Sequence, residues 1–147
     1  MDAKQYLEEL RRIMTEKTMW EKELDRIDDM LGARAIQYQP DRVQTSPRQD
    51  GLENEAIRYA ERREKIIHKL NETITDLMEK QFEALTYIKQ IESDDQREVL
   101  ILRYIDGLKW WDIMQARRCD DISGQMKLRD RAVASLQKIM NDYTMSI

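Results

Sequence analysis

The sequence predicts an all-α protein: a long antiparallel helical hairpin or coiled coil, followed by a compact three-helix domain. Three observations predict it. The 147 residues are 37% charged and 41% apolar yet hold only four glycines and two prolines, a composition of helix formers. Two stretches repeat apolar residues at steps of three and four over several heptads. The last third breaks into short amphipathic segments separated by capping residues and a glycine.

The first helix is expected from about residue 3 to 33. Its seam runs Tyr6, Leu10, Ile13, Lys17, Trp20, Leu24, Ile27, Leu31, with only Lys17 polar, between charges such as Glu8, Glu9, Arg11 and Glu21. At 1.5 Å per residue it spans roughly 45 Å. Leu7, Met14 and Met30 widen the stripe beyond a simple seam. Gly32 is the expected stop.

Residues 33–51 hold both prolines, Pro40 and Pro47, together with Thr45, Ser46, Asp50 and Gly51, and read as a connecting loop. The loop is longer than the ~2–8 residues usual between packed helices. Its Arg34, Arg42 and Arg48 could meet phosphate, although a solvated connector is the simpler expectation.

A second long helix is expected from Leu52 to Ile91, on the seam Ala56, Ala60, Arg63, Ile67, Leu70, Ile74, Leu77, Gln81, Ala84, Ile88, Ile91. Met78, Phe82 and Leu85 add a second register near its end, the pattern of a stutter. The apolar width of the two helices favours a homodimer through them. The expected domains are 1–93 for dimerisation and 94–147 for the compact unit.

Ser93-Asp94-Asp95, with Gln96 three residues after the serine, is an N-cap signal. It starts a helix from Gln96 to Asp106 that Gly107 ends. The next helix runs from Lys109 to about Arg118, with Trp110, Ile113 and Met114 inward. Trp111, adjacent to Trp110, must face elsewhere, towards the long helices or an interface. Asp120, Asp121 or Ser123 caps the closing helix. One face of that helix carries Leu128, Ala132, Val133, Leu136, Ile139 and Met140; the opposite side carries Ser123, Lys127, Asp130, Arg131, Ala134 and Lys138. Arg129 falls in the apolar stripe and must snorkel out or pair with a carboxylate.

Charge and composition narrow the function. The net charge is −4, but it is uneven: Met1 to Ser93 holds sixteen basic and twenty acidic residues, whereas Lys109 to Lys138 holds seven basic and four acidic. A single cysteine, Cys119, excludes an intrachain disulfide framework and suits a reducing compartment. The acidic N-terminus does not read as a signal peptide, and no apolar run reaches the ~18–20 residues of a membrane span. A cytoplasmic protein without membrane contact is expected. With one histidine, one cysteine and no glycine-rich loop, the chain shows no nucleophile–base pair, phosphate loop or zinc motif. No enzyme activity, metal or cofactor is expected. His68 reads as surface or interface packing, and Cys119 as an incidental thiol.

Helix, short turn and amphipathic helix with an outward basic face is the form of a helix-turn-helix DNA-binding unit. Lys127 and Arg131 lie one turn apart and can reach phosphates or guanine edges, with Ser123 and Gln125 near the helix N-terminus for base contacts. Lys109, Arg117 and Arg118 are the expected backbone clamps.

Two stretches carry a resemblance. EVLILRYIDGLKWWDIMQ, Glu98 to Gln115, resembles the entry to a sigma-70 region 4 helix-turn-helix, and LRDRAVASLQKI, Leu128 to Ile139, its closing helix. DRVQTSP, Asp41 to Pro47, resembles a loop of the RinA/ArpU-type late transcriptional regulators of Gram-positive phages, which join long N-terminal helices to such a domain. The resemblance covers about residues 1–141. It implies sequence-specific binding of double-stranded DNA, activation of phage or prophage late genes and, secondarily, contact with RNA polymerase. The sequence departs from the family at the turn, which reads RRCDDIS from Arg117 to Ser123 and places Asp120 and Asp121 at the tip nearest DNA. The alternative is a helical protein–protein or packaging accessory module that does not bind DNA.

Overall fold

The protein is all-α. A computed structural model describes residues 2–37 and 48–145 as α1 (Ala3–Gln37), α2 (Arg48–Ile88), α3 (Asp94–Leu100) running into a π-helical turn (Ile101–Ile105), α4 (Trp110–Arg117) and α5 (Ile122–Met145). None of these helices is long and apolar enough to cross a membrane.

The helix stop expected at Gly32 does not occur, and α1 continues to Gln37. A glycine in an exposed helix costs only about 1 kcal/mol, which neighbouring helix formers override. α2 begins at Arg48 rather than Leu52 and ends at Ile88 rather than Ile91. The two ends of the expected 33–51 loop, 33–37 and 48–51, are therefore helical. The segment DRVQTSP, with Arg42, lies outside the described residues, as do the side chains of Arg34 and Arg48. The buried line along α2 passes Ile66, Leu70, Thr73, Leu77, Gln81, Ala84 and Ile88. Two successive steps of four, from Thr73 to Gln81, shift the register, but Met78, Phe82 and Leu85, expected to carry the stutter, are exposed and do not join the buried line.

The packing divides the chain into two compact units, Met1–Met14 with Asp76–Ile147, and Thr15–Thr75. The division falls inside both long helices rather than at residue 93. In the smaller unit Ile27 and Ile66 are buried, Trp20, Leu24 and Leu70 are half-buried, and Arg63 Nε pairs with Asp28 at 2.5 Å. It is a thin seam bordered by charge.

The larger unit holds a continuous core. Ala3, Leu7, Leu10 and Ile13 of α1 and Leu77, Ala84 and Ile88 of α2 join Ile91, Val99, Leu100, Tyr104, Ile113, Ala132, Leu136 and Met140. Within it α1 and α2 run antiparallel, since Tyr6 Oη donates to Glu83 at 3.0 Å while Lys80 lies 3.9 Å from Glu9. Polar ties bind α1 and α2 to the C-terminal helices: Ala3 N donates to Gln137 Oε1 at 2.6 Å, Arg11 Nη1 to the Arg103 carbonyl at 3.1 Å, and Gln81 Nε2 to the Ile105 carbonyl at 3.1 Å. Tyr6, Tyr87 and Tyr143 stack edge to face at 6.2 and 5.6 Å.

Ser93 caps α3 as expected, its hydroxyl accepting from Gln96 N at 3.3 Å. The end of this helix is not plain α. Asp106 N donates to the Ile101 carbonyl at 2.8 Å, and Leu108 N to Leu102 at 2.9 Å, with Gly107 at φ +73°. Only glycine adopts that conformation without strain. A Cβ on Gly107 would lie 3.1 Å from Met14 Sδ, whereas a Cβ on Gly32 would meet nothing within 4 Å. Gly107→Ala should therefore lower unfolding stability by about 1–2 kcal/mol, and Gly32→Ala should raise it by about 0.5–1 kcal/mol, in chemical denaturation followed by circular dichroism.

Candidate nucleic-acid interface

Every candidate site residue lies in the larger unit, on α4, on α5, in the turn between them or, for Lys109, just before α4. α4 starts after Lys109, whose extended backbone (φ −74°, ψ 158°) makes it the N-cap rather than the first helical residue. α4 ends at Arg118, the one non-glycine residue at positive φ among those described (φ 55°, ψ 48°). There the chain reverses: Arg118 N donates to the Gln115 carbonyl at 3.3 Å and Cys119 N to the Met114 carbonyl at 3.1 Å. Arg118, Cys119, Asp120 and Asp121 form the turn.

Asp121 opens α5. Its carbonyl accepts from Gln125 N at 3.2 Å, and its carboxylate folds over the first turn, where a Cβ on Gly124 would lie 2.6 Å from Oδ2. Gly124 thus leaves room for the acid, and the carboxylate meets the positive end of the helix. Ser123 is not a cap but the second residue of α5, exposed.

On α5 the face opposite the buried Ala132, Leu136 and Met140 is open: Ser123, Lys127, Asp130, Arg131, Ala134 and Lys138 are all exposed. Gln125 does not share it. It lies about 200° round the helix from Ser123, is half-buried, and its Oε1 is enclosed without a hydrogen-bond partner. Base contact from both Ser123 and Gln125 is therefore incompatible with this helix.

The expected clamps also separate. Lys109 and Arg118 are exposed, and among the described residues no ion pair engages them, Lys127 or Arg131. Arg117 is engaged: Nη2 lies 3.0 Å from Asp95 Oδ1 and Nη1 2.8 Å from Glu98 Oε2, with 11% of its side chain exposed. It joins α4 to α3 and is a positioning residue. The sequence does not show this, because its partners lie some twenty residues away on another helix.

A second cluster, apparent only in the structure, fixes α4 against α5. The rings of Trp110 lie beneath two guanidiniums, Arg103 at 4.6 Å and Arg129 at 5.3 Å. Arg129 Nη1 donates to Tyr104 Oη at 3.2 Å and its Nε to Asp130 at 2.8 Å; Tyr104 Oη donates to Glu8 at 3.3 Å. Burial opposes the charge of Arg129, but the hydrogen bonds to Tyr104 and Asp130 outweigh it and raise its pKa. Burial and the positive charge of Arg11 lower that of Arg103, and burial raises the Tyr104 hydroxyl. Of the two routes expected for a cation in an apolar stripe, Arg129 takes the pairing with a carboxylate, Asp130, and its side chain stays covered rather than reaching into solvent. Trp110 is packed, whereas Trp111 is 62% exposed.

Comparison with protein-family models, with curated proteins and with solved structures returns no match to this chain.

Two substitutions separate position from contact. Arg118→Gly should stabilise the fold by about 1 kcal/mol by relieving the left-handed backbone. Arg117→Ala should destabilise it by about 1–2 kcal/mol through lost packing and ion pairing. Thermal melts of both against the parent protein measure the difference.

Proposed function

We propose that this chain is a DNA-binding transcriptional regulator in which the outward face of α5 enters a groove of double-stranded DNA. One observation carries the reading. A short helix, a four-residue turn and a long helix leave Lys127 and Arg131 exposed, with no ion pair among the described residues, on the side opposite the core. Ser123 stands on the same face near the helix start. Lys109 and Arg118, at the two ends of α4, are exposed cations suited to backbone phosphates. Arg117 joins α4 to α3, and Gln125 is half-buried on the other side of α5 from Ser123, so neither is assigned a DNA contact.

The resemblance to the RinA/ArpU-type regulators assigns such binding to phage or prophage genes, in the cytoplasm, with RNA polymerase as a secondary partner. Homodimerisation would set two weak surfaces on spaced half-sites and multiply their affinity. Few cations are offered, and Asp120 and Asp121 oppose them, so one copy alone should bind weakly. Those aspartates, with the exposed Trp111 and Phe82, favour the rival reading of a protein–protein adaptor.

Fluorescence polarisation with a mixed-sequence duplex at several salt concentrations separates the two. Neutralising about four phosphates gives a log–log slope of about −3.6, and Lys127→Ala with Arg131→Ala should reduce its magnitude by about 2. Absence of binding at low salt, or binding that the double variant leaves unchanged, favours the adaptor.

A further inference from the structure

We propose that the cleft between α2 and α5, beside the tyrosine cluster, is a binding site for a small primary ammonium ion. The cleft has a volume of about 120 Å³ and is lined by Glu83 and Tyr87 of α2 and Met140, Asn141 and Thr144 of α5. All five residues belong to the larger unit, and none takes part in the proposed DNA contact. One water molecule needs about 10–15 Å³ of such space, so the cleft admits a short alkylammonium.

The two helices shape it from residues one turn apart. Glu83 and Tyr87 follow one another on α2, and Met140 and Thr144 on α5. Met140 is the last buried residue of α5 among those described, and Asn141 and Thr144 beyond it are exposed. Their short side chains leave the gap to α2 open. The ring of Tyr87 is fixed at the edge of the cleft, because Tyr6 packs edge to face against it at 6.2 Å and Tyr143 at 5.6 Å.

The lining selects the charge of the ligand. Glu83 brings a carboxylate that accepts from Tyr6 Oη at 3.0 Å, and among the described residues no cation pairs with it. Burial, and then the bond to Glu83, push the pKa of the Tyr6 hydroxyl upward, so it stays a donor to the acid. An anion would meet the carboxylate, and an apolar ligand would strip water from it. A cation gains from Glu83 and also from the face of a tyrosine ring.

The remaining polar groups select its hydrogens. Thr144 gives its one hydroxyl hydrogen to the Met140 carbonyl at 2.9 Å, so towards a ligand its oxygen can only accept. Asn141 Oδ1 accepts from Gln137 Nε2 at 3.0 Å and retains a second lone pair. Glu83 has lone pairs beyond the one that Tyr6 uses. Three acceptors around one space suit the three N–H donors of a primary ammonium, which a quaternary ammonium lacks. The thioether of Met140 is a soft apolar wall for the attached alkyl chain.

The test titrates the full chain, labelled with ¹⁵N, with n-butylammonium chloride at constant ionic strength, and with tetramethylammonium chloride for comparison. Butylammonium should shift the amides of Glu83, Tyr87, Asn141 and Thr144 saturably, with a dissociation constant of about 1–10 mM, and tetramethylammonium should bind at least about tenfold more weakly. Glu83→Gln keeps an acceptor for Tyr6 but removes the charge, and should weaken butylammonium at least about tenfold. Thr144→Val keeps the shape but removes the acceptor, and should weaken it about fivefold. Unchanged circular dichroism verifies that both variants fold. A blocked lysine, Nα-acetyl-lysine methylamide, titrated in parallel distinguishes a protein side chain from a free amine as the source, the tighter of the two ligands naming it. Shifts that stay linear in butylammonium, equal affinity for tetramethylammonium, or binding that Glu83→Gln leaves unchanged would overturn the proposal.

Discussion

Tyr104 is the side chain on which the larger unit depends. It is the largest fully buried residue among those described, and its hydroxyl sits between Glu8 of α1 and Arg129 of α5. A buried hydroxyl without partners costs about 1–3 kcal/mol, so the site is stable only when both helices are in place. Arg129 in turn covers Trp110, the first residue of α4, from one guanidinium while Arg103 supplies the other. Positions of α1, α4 and α5 are thereby linked through one ring and its hydroxyl. The compact unit is not a separable C-terminal module: the first turns of α1 contribute Ala3, Leu7, Leu10 and Ile13 to its core.

Signals in the sequence are readable wherever the chemistry is local. The heptad steps identify Leu10, Ile13 and Ile27 as inward, and they are buried. Ser93 as a cap follows from its hydroxyl and the amide three residues on, and Gly107 from the positive φ that a tight helix end requires. The outward face of α5 follows from the 3.6-residue period alone. Features set at a distance are not legible in the same way. The junction of both long helices with the C-terminal core depends on which apolar stripe meets which, and periodicity does not encode that. Arg117 resembles Arg118 in the sequence, yet only Arg117 finds Asp95 and Glu98. Gln125 stands near the expected end of the expected helix, but on the other side of it from Ser123. Arg118 at positive φ has no signal in the sequence, because glycine or asparagine is the usual occupant of such a position.

The turn between α4 and α5 favours its helix and would disfavour the proposed DNA contact. Asp121 folds its carboxylate over the α5 N-terminus, with Gly124 cleared to admit it, which favours the helix. In the proposed DNA complex the same negative charge, with Asp120, would face the phosphate backbone. Against it are the exposed cations Lys109, Arg118, Lys127, Arg131 and Lys138. A surface of this kind gains affinity from duplication rather than from further contacts of its own.

The proposed contact surface on α5 is tested most directly by mapping backbone amide shifts in the full chain as duplex DNA is added. Shifts should concentrate at Lys109, Arg118, Ser123, Lys127 and Arg131, with the Tyr104–Trp110–Arg129 cluster nearly unmoved. Shifts confined to other surfaces, or no shifts at all at low salt, would contradict the proposed role of this helix.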